Sequence, residues 1–337
     1  MKIEKITNSH IIQSINNSFP ALFLVLNLAS ICLLINNFSS SLLASKICLL
    51  IITLLPCFIA VVLSFYLTNR IEYCLFAFII LIITKQNNII SAYLIAIVLY
   101  YLNYIFEKYL LNYHFIKDLP KFVEDSVKKI ILILSFIVIT FIALQIKINL
   151  DWLSLFDLPI TCILIIFLYC LLFYFGYHPA LLLAFLGPIQ LLFLSENIQA
   201  ALLNLPLEHL FTHGTMSAFA NMSGTGVTIG IVLLSKKLAP SSLKAAWFGV
   251  NENVIFGLPV TKNKKAFLPF VIGGTILGSF PFVLMALGYL NKPIFDAPYL
   301  GIFIEGFLVN FDYRSIIVNL IQIGGSLLFW KFLYREN

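Results

Sequence analysis

Residues 42–67 read LLASKICLLIITLLPCFIAVVLSFYL, an apolar run whose single charge is Lys46. A helix crosses the hydrocarbon layer of a bilayer with about 20 mostly apolar residues, so this stretch is long enough to span. The apolar residues follow one another without alternation, unlike the strands of an outer-membrane barrel. In hydrocarbon each backbone amide needs a partner within its own segment, which a helix supplies. Working outward, comparable runs occupy Phe19–Asn36, Ile89–Phe106, Ile130–Ile146, Pro159–Tyr177, Phe267–Leu290 and Ser315–Tyr334. The shorter Glu72–Thr84 spans if the bilayer thins around it. Composition agrees, with 61% hydrophobic and 11% charged residues over 337 positions, against about one quarter charged in soluble domains. So little polar surface cannot coat the chain in water, and the expected fold is an all-α polytopic membrane protein.

Lysine and arginine set the orientation. Lys2, Lys5, Arg70, Lys108, Lys117, Lys121, Lys128 and Lys129 fall on one side, against Lys46, Lys85 and Lys147 on the other, so a cytoplasmic N-terminus is expected. Carried to Lys331 and Arg335, the alternation predicts about ten transmembrane helices and a cytoplasmic C-terminus. Met1–Ser18 has no apolar core or small-residue cleavage site, so no cleaved signal is expected. The net charge of +6 is scattered through loops, which suits anionic membrane lipid and not nucleic acid. Phe115, Leu119, Val123 and Val127 recur every fourth residue among charges, the pattern of an interfacial helix near 108–128.

All six cysteines, Cys32, Cys48, Cys57, Cys74, Cys162 and Cys170, sit in apolar runs, where they read as small hydrophobes. The stretch 178–265 is broken by many prolines and glycines, among them Pro179, Gly187, Pro188, Pro206, Gly214 and Pro240, and by Asn197. Punctuation of this kind in an apolar region marks re-entrant or broken helices, tolerated where they are buried in protein or line a watery cavity.

Three segments carry chemistry. Trp247–Asn263 reads WFGVNENVIFGLPVTKN and holds Glu252 between Asn251 and Asn253 in apolar surroundings. A carboxylate there is expensive and implies function; a solvated loop is the alternative, kept open by Lys262, Lys264 and Lys265. Asn221–Gly230, NMSGTGVTIG, lets backbone approach either a ligand or another helix. Phe175–Pro179, FGYHP, puts His178 at the end of a spanning helix, as a ligand or a cap. His209 and His213, with Glu208, read as a solvated turn without metal-ligand spacing. Walker, GxGxxG and GxSxG motifs are absent, and no cofactor or metal is expected.

These residues resemble the sugar-translocating membrane (C) subunits of the bacterial phosphotransferase system, in the lactose/cellobiose (diacetylchitobiose) family. NENVIFGLPVTKN at 251–263 is similar to that family's Asn-Glu-Pro step followed by Phe-Gly-Leu-Pro, with Asn253 where the family has proline. SGTGVTIGI at 223–231 resembles its glycine-rich segment, and SKKLAPSSLKAAWFGV joins the two. FGYHP resembles its Phe-Gly-X-His-Gly, with Pro179 in place of the last glycine, and GFLVNFDYRSIIVNLIQIGGSLLFWKF resembles its last helix. The resemblance covers 159–337.

It implies a homodimer in the bacterial inner membrane, with a scaffold and dimerisation domain at 1–146. The transport domain at 147–337 would carry two re-entrant hairpins and hold one sugar of the cellobiose, lactose or chitobiose class. Glu252 would accept from the hydroxyl to be phosphorylated and act as general base, and His178 would orient that hydroxyl. Asn251, Gly224, Thr225, Gly226 and Asn253 would make further substrate contacts. The phosphoryl donor would be a phosphocysteine on a separate B subunit, since none of the six cysteines lies in a soluble segment. Two alternatives stand beside this reading: an uncoupled sugar facilitator or sensor, and a membrane enzyme acting on a lipid-linked substrate.

Overall fold

The computed structural model describes residues 9–85, 88–111, 121–146, 149–178, 180–235, 240–258 and 260–334. All of its regular elements are helical. Helices α1 (His10–Ser39), α2 (Leu42–Thr68), α3 (Ile71–Thr84), α4 (Ile89–Ile105) and α5 (Lys121–Gln145) are followed by a 3₁₀ segment (Asp151–Asp157), α6 (Pro159–Tyr174) and α7 (Ala180–Leu202). Short helices α8 (His213–Thr215), α9 (Ile229–Leu234), α10 (Pro240–Trp247), α11 (Glu252–Gly257) and α12 (Lys264–Phe267) follow. The chain closes with α13 (Gly274–Ala286), α14 (Ile302–Leu308) and α15 (Arg314–Leu333). Among the described residues seven helices are long and apolar enough to cross a membrane. The 3₁₀ segment and α6, bent by 69°, make an eighth if they count as one span.

Two expectations are redrawn. Gly187, Pro188 and Asn197 do not break the chain: α7 runs through all three. A proline inside a helix forfeits one backbone bond, and the long apolar helix around it tolerates that loss. Asn197 is buried because its amide is used, donating to the carbonyls of His209 (2.7 Å) and Pro293 (2.8 Å) and accepting from the His209 N–H. Residues 121–128 of the expected surface helix continue without interruption into the apolar part of α5, with Lys128 and Glu124 paired at 2.9 Å. Phe115, Lys117 and Leu119 lie outside the described residues.

The chain forms two units, one of residues 1–25 and 53–150, the other of 26–52 and 151–337. In the first, the Phe76 and Phe136 rings stack 4.4 Å apart, joining α3 to α5. Ser14 donates to the Tyr66 carbonyl, and Arg70 pairs with Glu107 at 2.8 Å. In the second, the Leu26–Ile52 segment is held through polar contacts. Ser30 donates to the Ile294 carbonyl (2.8 Å), and Asn27 accepts from the Asp296 N–H (3.3 Å).

The second unit's most informative element is α15, which is not uniformly apolar. Asn319, Gln322 and Ser326, spaced to share one helical face, are all buried. Gln322 donates to the carbonyls of Phe219 and Leu277, both at 2.9 Å, and Asn319 to that of Ala218 at 3.2 Å. Ser326 donates to the Val227 carbonyl and accepts from the Gly230 N–H. Irregular backbone in an apolar setting needs partners for its amides and carbonyls. This stripe supplies them to the π-helical turn Met216–Ala220, to the backbone at Val227 and Gly230, and to Leu277 in α13.

His209, in the extended link between α7 and α8 outside the spanning helices, is clasped by two carboxylates. Its Nδ1 meets Asp157, and its Nε2 lies 2.7 Å from Glu196 Oε2. Asp157 also accepts from the Leu210 and Phe211 N–H groups, and the imidazole stacks on Phe193 at 4.2 Å. Burial alone would lower the imidazole pKa, but the bonds and charges of Asp157 and Glu196 outweigh it and hold it up at about 9. A pKa raised above the unfolded ~6.5 stabilises the fold fully below that pH and loses the contribution as pH rises through about 9. We therefore expect the detergent-solubilised protein to lose thermal stability between pH 6.5 and 9, by at most about 3 kcal/mol from this group. His209→Gln should flatten the slope; equal slopes for the two proteins would refute this role.

Candidate functional site

The site grows from a turn that side chains cannot easily populate. Gly224 and Gly226 both have φ +85°, and a Cβ on Gly224 would sit 2.1 Å from Cγ of Asn251. Glycine is required where the backbone is left-handed and another group approaches this closely. Asn251 donates from Nδ2 to the Thr225 carbonyl (2.8 Å) and to Thr228 Oγ1 (3.0 Å), so the turn and the segment before α11 are laced together. Thr225 donates to Asn221 Oδ1, and Ser223 accepts from the Ile229 N–H. Glu252 comes next in sequence, opening α11.

His178 is delivered by the end of α6. The helix stops at Tyr174, and Gly176 at φ +85° turns the chain. The His178 ring packs edge-on against Phe173 at 5.3 Å. The Lys262 N–H donates to the Tyr174 carbonyl at 2.9 Å, tying the chain that leaves α11 to the end of α6.

These segments enclose a cavity of about 160 Å³ lined by His178, Glu252, Asn251, Gly224 and Thr225, with Tyr169, Gln190, His213, Ser217, Asn221 and Tyr299. That is roughly ten times the room one buried water needs. Glu252 is half-buried, and its Oε2 has no hydrogen-bond partner among the described residues. The cavity thus presents a carboxylate, imidazoles and the hydroxyls of Ser217 and Tyr299 in one small space that Phe173, Leu183 and Met216 also line. A ligand that offers several hydroxyl groups suits such a lining.

Five of the seven residues singled out from sequence line this one cavity. Gly226 does not: it is buried, and a Cβ there would meet the Phe270 ring at 2.5 Å, so it serves close packing. Asn253, the second residue of α11, is exposed and also stands apart from the lining. Pro179 and Pro259 lie outside the described residues. His213 departs from the solvated turn expected for it. Its Nδ1 is 3.1 Å from both carboxylate oxygens of fully buried Asp296, and its ring forms part of the cavity wall.

A family profile described as phosphotransferase system, EIIC, matches residues 29–274. The chain belongs to the phosphotransferase system EIIC family. Among curated relatives of this EIIC chain, the oligo-beta-mannoside-specific EIIC component of Bacillus subtilis strain 168 is 24% identical over 184 residues, covering 51% of this chain and 42% of that protein. The cellobiose-specific EIIC component of Lactococcus lactis subsp. lactis is 30% identical over 137 residues, covering 36% of this chain and 27% of that one. The matched stretches thus span less than half the length of these relatives. The crystal structure of the transporter ChbC, the IIC component of the N,N′-diacetylchitobiose-specific phosphotransferase system, superimposes with a TM-score of 0.80. It covers 97% of this chain and 93% of that one at 15% identity, which shows a shared fold. The EIIC chain is an all-helical integral membrane protein with several spans.

Proposed function

We propose that this EIIC chain is the sugar-translocating membrane subunit of a phosphoenolpyruvate-dependent phosphotransferase system. It binds a di- or oligosaccharide of the cellobiose, lactose or chitobiose class and presents it to a phosphocysteine on a separate B subunit. One observation carries the reading: Glu252 and His178, 74 positions apart by their numbers in the sequence, line one cavity together with Gly224, Thr225 and Asn251. In this reading Glu252 accepts the proton of the hydroxyl that attacks phosphorus. The phosphoryl group leaves the cysteine sulfur as the new P–O bond forms, and His178 orients the hydroxyl. Asn251 braces the glycine turn and, with Gly224 and Thr225, completes the wall.

Asn253 fits the same scheme although related proteins carry proline there by resemblance. The second position of a helix tolerates proline because its N–H has no partner within the helix, so asparagine or proline can stand there without costing α11 a backbone hydrogen bond. The finer architecture belongs to this proposal as well: about ten spans, two re-entrant hairpins in the C-terminal half, and both termini cytoplasmic in a bacterial inner membrane. Residues 1–146 act as scaffold and dimerisation domain of a homodimer and 147–337 as transport domain, with lipid around both. Vesicles carrying the chain test the coupling. Phosphosugar should accumulate inside only when a phosphorylated B protein is supplied. Uptake of unmodified sugar at the same rate without it would make the chain a facilitator, and turnover of a lipid-linked substrate would make it an enzyme of another kind.

A further inference from the structure

Gln190 sits in α7, two residues beyond Pro188, and is 1% exposed, yet it lines the cavity. Its Oε1 accepts no hydrogen bond among the described residues. Asn319, in the same unit, also has a buried oxygen without a donor among the described residues, but it stands apart from the cavity lining. Asn197, on the same helix as Gln190, uses both ends of its amide, and Gln322 donates twice. A leucine would fill the apolar interior of α7 without leaving an acceptor unpaired, and a buried unpaired acceptor destabilises its protein. Gln190 differs from Asn319 in standing on the cavity wall, where an occupant of the cavity can supply the missing donor. Glu252 Oε2 is in the same condition on the same cavity. Two acceptor oxygens that lack donors ask for a ligand that brings two donors.

We infer that Gln190 is a substrate-binding and specificity-determining residue, accepting a hydrogen bond from a hydroxyl or amide N–H of the saccharide other than the hydroxyl taken by Glu252. The inference rests on the sugar-binding reading above and adds to it a second point of recognition. A site of this kind rejects a sugar that lacks the donor, because the glutamine oxygen is then left buried and unpaired.

The test measures binding by calorimetry on purified protein in detergent. The probes are cellobiose, lactose and N,N′-diacetylchitobiose, and then the singly deoxyfluorinated forms of whichever binds tightest. Fluorine keeps the size of a hydroxyl but donates nothing. Gln190→Leu should weaken the parent sugar about tenfold or more, the value of one buried hydrogen bond. It should also become indifferent to fluorine at one position where the wild type loses about tenfold. Gln190→Glu, which keeps an acceptor, should bind within a few-fold of wild type, and Gln190→Met, of similar shape without an acceptor, replaces the leucine variant if that one fails to fold. Wild-type affinity and an unchanged fluorine profile in Gln190→Leu or Gln190→Met would overturn the role of Gln190 while leaving the sugar reading intact. A wild-type protein that binds none of the three sugars would bring down that reading and this inference together.

Discussion

A Glu252→Gln chain should accumulate normally in the membrane and phosphorylate no sugar above background. The exchange keeps shape and removes charge, so packing around α11 is preserved while the acceptor for the sugar proton is lost. General-base assistance contributes about 10²–10⁴-fold to a rate, and the loss should be of that size in phosphosugar formed per minute with phosphorylated B protein in excess. Binding should fall by about tenfold, because a charge-assisted bond is about twice as strong as a neutral one. The unpaired Oε2 on the cavity explains why the effect lands on chemistry and leaves the fold alone. A Gln variant working at the wild-type rate would remove Glu252 from the reaction.

Gln322→Leu should do the reverse, destabilising the fold without touching the cavity lining. Gln322 is wholly buried, and the carbonyls of Phe219 and Leu277 both depend on its Nε2. A leucine fits the space and satisfies neither. Two buried carbonyls without donors cost roughly 2–6 kcal/mol together, which corresponds to a midpoint lower by roughly 10 °C for a unit of this size. Neighbouring Ile321 is half exposed, and Ile321→Leu should leave the midpoint where it was. Thermal unfolding in detergent compares the three proteins, and an unmoved midpoint for Gln322→Leu would show that the carbonyls find other partners.

Hydropathy made most of the helical scaffold legible, because a span is a local property: twenty apolar residues in a row need no partner to declare themselves. Local signals failed where tertiary contacts took over. Pro188 and Asn197 look like breaks in isolation, yet α7 runs through them, and Asn197 earns its place through Pro293, 96 residues away. Half of the cavity was visible in the same way. Glu252, Asn251 and the glycine turn lie in conspicuous polar punctuation, and His178 stands beside a helix end. His213 was misread because its meaning comes from Asp296, 83 positions further on. Gln190 offered no signal at all, being a single amide in an apolar helix whose role is set by the wall it faces. Opposite lessons follow for the last helix: its stripe of Asn319, Gln322 and Ser326 has helical spacing that can be read, but nothing in the spacing says that it serves someone else's backbone.

A single peptide contact joins two arms of the cavity. Because the amide of Lys262 is riveted to the carbonyl of Tyr174, the stretch leaving the acidic helix and the stretch entering the histidine turn share a fastening point. The bond fixes the approach of both stretches to the wall on which the carboxylate and the imidazole stand.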